Sequence, residues 1–471
     1  MKLRDTIAAA VFTITLSPAL SSAQDQPWLK DRRYTEGIGI RAGDLELHPG
    51  IAAEFGYDSN FFRRAEDDRV GSDDIGPVGS MRLRITPSFS LSTLSAQRQE
   101  ASPGAPPDVE FRGGISATYD EFFPVSGTER GQERMSEQRN VGGLLDASLT
   151  ILPQRPWSVV LDGSLGRTIA SSDLGISNQS FRRVNADAGA ELVWTPGGGL
   201  LDWRLGYRFF GTFFEVEEFS GLTHLQHSIR TRGRWRFLPR TALIYDASLG
   251  FVDYPNPTIQ RSSHPLRAQI GINGLVTPSF GLLAMAGWGA SFYTSADQVD
   301  VVNDFDSVIG QFELKWFLTP NPSTDPAAAT LALSSLSAGF TRDFHDSFLS
   351  TYVERDRGYL KLTYFFGGRF LVILDGGVAA LVYPGIPGSG DAGASGFGSL
   401  DPEPAWTDVR IDASLFGEYR IGDSLGINST VRYGNNVSST SLTTAESDGT
   451  RVSNSLGWQQ FEAYLGVRWF M

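Results

Sequence analysis

The stretch HSIRTRGRWRF, residues 227–237, carries an arginine at every second position: Arg230, Arg232, Arg234 and Arg236. Two is the period of a β-strand, so the four guanidinium groups share one face, whereas on a helix they would spiral around it. Ile229, Thr231, Gly233, Trp235 and Phe237 fall on the other face. Arg204 and Arg208 occupy the equivalent face of the preceding segment. Hairpin pairing sets them about opposite Arg234 and Arg236, and Arg230 and Arg232. Six cations on two neighbouring strands make a basic wall that can attract an anionic solute or polymer. Asp187, Glu191 and Asp246 share that face on flanking segments, at heights where they can pair with the arginines. The ladder can therefore guide a solute or brace a wall, and both readings stay open.

Other chemistry is sparse. The chain has no Cys, which excludes disulfides and thiolate metal sites. His224 and His227 are three apart, so on a strand they point to opposite faces; His48, His264 and His345 stand alone. No HExxH or P-loop pattern occurs. Neither a catalytic set, a metal site nor a cofactor is expected. The acidic group Glu66, Asp67, Asp68, Asp73 and Asp74 reads as a solvated loop or a contact for lipopolysaccharide-bound cations. A net charge of −13 argues against nucleic acid as a partner.

The elements that must position the ladder are strands. Segments of about 10–16 residues alternate apolar with polar or small residues along the whole chain, and helical periodicity is scarce. Eighteen such segments can be delimited, among them 108–119 and 329–344. Short Pro/Gly turns such as LPR (238–240) and TPS (277–279) alternate with long polar loops such as 58–79 and 438–455. The links 97–107 and 319–328 are long where the alternation asks for short ones. Mean hydropathy is −0.15, and no apolar run reaches the 18 residues of a membrane-spanning helix. An all-β, antiparallel up-and-down outer-membrane β-barrel of about 18 strands meets every one of these constraints: its strands are half water-facing, its turns short on one side and its loops long on the other.

Three regions follow. Residues 1–23 read as a signal peptide, with Lys2 and Arg4 before an apolar stretch and Ser21-Ser22-Ala23 at the cut. Residues 24–43 form a periplasmic segment, and 44–471 the barrel. Trp194, Trp203, Trp235, Trp316 and Trp469 lie near the turn ends, where an aromatic girdle belongs. A barrel of this size encloses an aqueous channel. Loops 120–137 and 384–405 are the candidates for folding into it, though their Gly/Ser content speaks for mobility. Expected partners of the outside are outer-membrane lipid and lipopolysaccharide.

The last strand, WQQFEAYLGVRWFM, puts Phe461, Leu465, Val467, Trp469 and Met471 on one face. It resembles the C-terminal signal read by the barrel assembly machinery, departing from it in ending on Met471 after Phe470. The segment GIGIRAGDLELHPGIAAEFGYDSNFF, residues 37–62, resembles the start of the β-barrel porin 2 family, through Gly39, Arg41, Gly43, Pro49, Gly56, Tyr57, Asp58, Asn60 and Phe61. This resemblance implies an outer-membrane porin that exports a capsular polysaccharide or exopolysaccharide together with a periplasmic polysaccharide export (OPX-type) protein, which residues 24–43 would touch. A general or solute-specific nutrient-uptake porin is the alternative. A structural or adhesive barrel, whose loops bind outside, is the second alternative.

Overall fold

The computed structural model describes residues 39–65, 76–93, 108–153, 155–171, 180–196, 199–255, 262–293, 304–318, 334–367, 369–386, 394–395, 398–400, 403–422, 424–445 and 451–471. The expected signal peptide, the acidic group at 66–74 and the links 97–107 and 319–328 lie outside them, as does the expected periplasmic segment up to residue 38.

Eighteen long strands form one antiparallel ring. They are β1 (Leu45–Asp58), β2 (Ser80–Thr93), β3 (Val109–Pro124), β4 (Asn140–Ile151), β5 (Trp157–Ser171), β6 (Ser180–Trp194), β7 (Leu201–Phe214), β8 (His224–Leu238) and β9 (Thr241–Asp253). The ring continues through β10 (Ser263–Thr277), β11 (Phe280–Tyr293), β12 (Phe305–Phe317), β13 (Ser335–Asp346), β14 (Tyr352–Phe366), β15 (Phe370–Tyr383), β16 (Trp406–Arg420), β17 (Leu425–Val437) and β18 (Trp458–Phe470). Each strand pairs with the next, and β18 closes onto β1 from Gly50↔Phe470 to Asp58↔Glu462. Closure gives each strand a paired neighbour on both sides, as the hydrocarbon layer requires, where every backbone polar group needs a partner.

Alternation decides which way each side chain points. Ile270, Val276, Val378 and Leu465 face out at 53–68% exposure. In water that would be a large unprotected apolar surface; in lipid it is the contact layer. A single Arg on this face would cost about 2–4 kcal/mol at the midplane. Trp157 stacks on Trp194 with ring centroids 5.5 Å apart, and Trp194 pairs with Trp203, which places an aromatic group at the turn end of the belt. A closed antiparallel ring, apolar outside and polar inside, is a transmembrane outer-membrane β-barrel, and that membrane is where this protein resides.

Smaller elements gather at the two ends. Among the described residues at the long-loop end are helix α1 (Glu129–Ser136), capped by Thr128 accepting from the Gly131 N–H at 3.1 Å, and a 3-10 turn, Glu217–Leu222. Four short strands, Ala394–Ser395, Gly398–Leu400, Ser441–Ala445 and Arg451–Ser455, form a separate sheet there. At the turn end, Ile40–Ala42 pairs with Leu45–Leu47 of β1, so the segment before the barrel enters as a short strand.

Strand β3 runs five residues past the expected end at 119. Asp120 looked like the first residue of a loop. Its carboxylate instead faces inward and takes Arg82 Nε at 2.8 Å and Arg84 Nε at 3.3 Å, so the polar residue belongs to the wall.

Candidate functional site

The ladder's wall is built by β6, β7, β8 and β9. Arg204 stands opposite Arg232, not opposite Arg234 or Arg236, and Arg208 opposite Ser228. The hairpin is thus slipped by two residues from the expected register, which preserves every side chain's face because the period is two. The arginines meet carboxylates. Arg232 donates to Glu191 at 2.8 Å, and Arg204 to Asp202 at 2.9 Å and to Glu191 at 3.2 Å. Arg230 grips Asp246, with Nε 2.9 Å from one oxygen. Arg208 donates to Asp187 and to Asp162, each at 2.8 Å. Four arginines therefore rest on five carboxylates. Arg234 faces Asp202 across the pair, and Arg236 sits at the turn, where its N–H bonds Leu200. Neither makes an ion pair among the described residues.

The far wall repeats the theme. Arg357 bridges Asp412 and, at 3.3 Å, Asp375; Arg468 donates to Glu418 at 2.6 Å; Arg84 donates to Glu54 at 3.1 Å. Near the turn end, Leu371, Phe416 and Phe470 pack together inside with Ala52. The outward residues of the last strand, Phe461, Leu465, Val467, Trp469 and Met471, are 42–62% exposed, and the Met471 N–H bonds Pro49 O at 3.0 Å.

The bore is not open throughout. Strand β13 pairs with β12 only as far as Gly310↔Arg342, although β12 continues to Phe305. Beyond Arg342 the β13–β14 hairpin leaves the wall and bends inward. Its formerly outward face then lies against the inner side of β10–β12. Phe344 stacks on Phe305 with centroids 4.1 Å apart, and Arg267 lies over Phe344 at 4.1 Å while donating to Asp343 at 3.0 Å. Asp346 accepts from Ser263 at 3.0 Å and from Tyr293 at 2.9 Å. Arg342 fills the place where the strands part, reaching Val308 O at 3.1 Å, Asp356 at 3.1 Å and Glu354 at 2.7 Å.

The tip, residues 347–351, spans the lumen. Phe348 packs on Phe214 and His224, on β7 and β8, each with ring centroids 6.3 Å away. Its neighbour Leu349 belongs to a buried cluster with Ile386, Trp406, Leu442 and Leu456, around the start of β16. Strands β7 and β16 are nine apart in a ring of 18, half the circumference. The turn is held by its own bonds: Ser347 Oγ accepts from the N–H groups of Leu349 at 3.2 Å and Ser350 at 3.3 Å.

This crossbar was not among the expected intruders. Residues 120–124 are wall and 129–136 a helix, whose Met135 packs with Phe61, Phe62, Val78 and Phe122 at the rim. Of 384–405, the described residue Ile386 belongs to the cluster on which the tip docks. A signal for the crossbar does exist: Arg342, Asp346, Glu354 and Asp356 sit at outward positions where lipid contact would forbid them.

The histidines do not converge. His224 bonds Leu222 O inside at 2.9 Å, His227 bonds the Tyr207 hydroxyl outside at 2.7 Å, and His48 lies 3.3 Å from Met471 O. His264 meets Phe251 edge-on. Among the described residues no group of His, Asp and Glu is arranged to hold a metal ion.

No family model and no curated protein matches the chain. Among solved structures it is similar to Pseudomonas aeruginosa OpdK with vanillate, at 10% identity and a TM-score of 0.45, covering 91% of this chain and 99% of that one. Acinetobacter baumannii OccAB3 gives 10% and 0.42, covering 91% and 100%. The FrpB iron transporter from Neisseria meningitidis gives 8% and 0.43, covering 92% and 82%. These figures do not carry a function across.

Proposed function

We propose that this outer-membrane porin is a selective diffusion channel of the uptake type, passing small charged solutes one at a time. The crossbar carries this reading. A turn docked on both sides of the lumen divides the cross-section, which obstructs a polymer chain more than a small molecule. Charged residues then face whatever passes: the ladder on β7–β8, and Arg357, Asp375 and Asp412 opposite. Four of the ladder's six arginines, Arg204, Arg208, Arg230 and Arg232, are neutralised in place, so they brace the wall more than they guide. Selectivity rests on local differences along the path, such as Arg234 and Arg236 at the turn end.

The test is liposome swelling with saccharides of increasing length, on the wild type and on Phe348→Ala/Leu349→Ala. Monosaccharides should enter both and longer oligomers only the variant. Equal entry of long oligomers into wild-type vesicles would sink the reading. Export of a polysaccharide with a periplasmic export protein is the second reading. It is favoured by the family resemblance over residues 37–62, and by the short strand Ile40–Ala42, which lies at the turn end of β1 on the periplasmic side. Loss of surface polysaccharide in a deletion strain, restored by the wild-type chain, would support it over uptake.

A further inference from the structure

Strand β1 and strand β18 stop pairing before either reaches the rim. Their last rung is Asp58↔Glu462, followed by one backbone bond, from the Ser59 N–H to Phe461 O, and by two side-chain bonds: the Phe461 N–H donates to Ser59 Oγ at 2.8 Å, and the Asn60 amide to Gln459 O at 2.9 Å. The chain then turns inward to bury Phe61 and Phe62, whereas β18 continues outward against β17 alone, up to Asn436↔Trp458. Between the departing segment and the edge of β18 opens a cavity of about 510 Å³. Tyr433, Asn435, Trp458, Gln459, Phe461 and Arg64 are among the residues that line it.

The order of these residues along the strand is informative. Tyr433 pairs with Phe461, and both face lipid at about 40% exposure; the next outward rung on the same face is Asn435 with Gln459. An aromatic rung topped by an amide rung marks the passage from acyl chains to headgroups. Trp458 points the other way, to the inner face, where it is buried with Arg63 at 4.7 Å and Arg410 at 5.3 Å from its ring; its indole N–H finds no partner among the described residues. Arg64 is buried at the same site, with one amino group on Asn454 Oδ1 at 3.1 Å. Aromatic faces, carboxamides and a guanidinium set in a cavity of this size are the groups that recognise a sugar ring with an anionic substituent.

We infer that the β1–β18 seam carries a saccharide site open to the outer leaflet, taking the phosphorylated sugar headgroup of a lipopolysaccharide molecule. Acyl chains would run down the apolar face below Tyr433 and Phe461, and the amides would hold the sugar above. The same chemistry is offered by a soluble phosphorylated saccharide, so the test separates the two sources.

The experiment is native mass spectrometry of the full chain, refolded free of lipid in detergent. It is incubated with deep-rough lipopolysaccharide, with the same saccharide stripped of its acyl chains, or with phosphatidylglycerol. One lipopolysaccharide should stay bound per barrel. Occupancy should fall at least tenfold in Asn435→Leu/Gln459→Leu, and likewise in Tyr433→Ala, a second variant in case the first assembles poorly. Equal retention of the stripped saccharide would assign the site to a soluble ligand. Wild-type occupancy in both assembled variants, or displacement by phosphatidylglycerol at equal concentration, would overturn the site.

Discussion

Glu191 is where two of the ladder's arginines meet, with Arg232 at 2.8 Å and Arg204 at 3.2 Å. Its removal tests whether the ladder's charge is felt in the lumen. Glu191→Gln keeps the shape and removes one negative charge from a wall that is close to neutral. A unit charge about 10 Å from a passing ion in water changes its energy by about 0.4 kcal/mol, or about twofold in local concentration. Chloride gains about twofold and potassium loses as much, so the chloride-to-potassium permeability ratio, read from the reversal potential across a salt gradient, should rise about fourfold. Arg232→Ala should move it the other way. No shift in either would mean that the ladder is a brace screened from the path. Parity alone points to Glu191, Asp187 and Asp246. It does not point to Asp162, which sits two strands from Arg208. The two meet because Gly189 lies between them: a Cβ there would come 2.9 Å from an Asp162 oxygen. A missing side chain leaves no mark in an alternation pattern, so this contact appears only once the strands are in register.

At the scale of elements, the wall was legible from its period, and the crossbar only from the charges Arg342, Asp346, Glu354 and Asp356 at outward positions. A strand announces itself through its period, and all eighteen did. The period says which face a residue shares, but not whether its strand still lies in the wall. The sequence offers the loops 120–137 and 384–405 as intruders. Intrusion here is set by where two strands part, and a five-residue turn crosses the bore because β13 leaves β12 at Arg342. Two consequences can be measured in single-channel recordings. Truncating a half-buried aromatic contact costs about 2 kcal/mol, about thirtyfold in the ratio of docked to undocked tip. Phe348→Ala should therefore raise the mean conductance and add open-state fluctuations. Arg342→Ala leaves Glu354 and Asp356 without their shared cation at the point of departure, and should loosen the whole hairpin, giving larger fluctuations than Phe348→Ala. Recordings indistinguishable from wild type in both variants would mean that the solute path avoids the crossbar.

For the molecule as a whole, everything depends on closing one seam. Of the residues that carry the family resemblance, Gly56, Tyr57, Asp58, Asn60 and Phe61 gather there. Asp58 accepts from the Asn60 N–H at 3.0 Å and from Gln460 at 2.9 Å; Asn60 donates to Gln459 O at 2.9 Å and to Arg64 O at 2.8 Å. Phe61 anchors the departing chain in the rim cluster. This half of the motif thus builds the joint between first and last strands. Gly56 is the tightest point: a Cβ there would sit 2.2 Å from Ala463 O and 2.3 Å from the Tyr464 ring. Backbone atoms across a paired ladder cannot yield as a flexible side chain can, so Gly56→Leu must part the seam or shift its register, and a one-residue shift would turn β18's polar face to lipid. Gly358, with nothing within 4 Å of its would-be Cβ, is the matched control on β14. Closed barrels keep a compact, fast-migrating form in unheated detergent gels. Gly358→Ala should retain it, whereas Gly56→Leu should migrate as unfolded chain before heating. If Gly56→Leu kept the compact form, the β1–β18 contact would be looser than drawn, and closure would have to rest on the bonds of Asp58 and Asn60 at the rim.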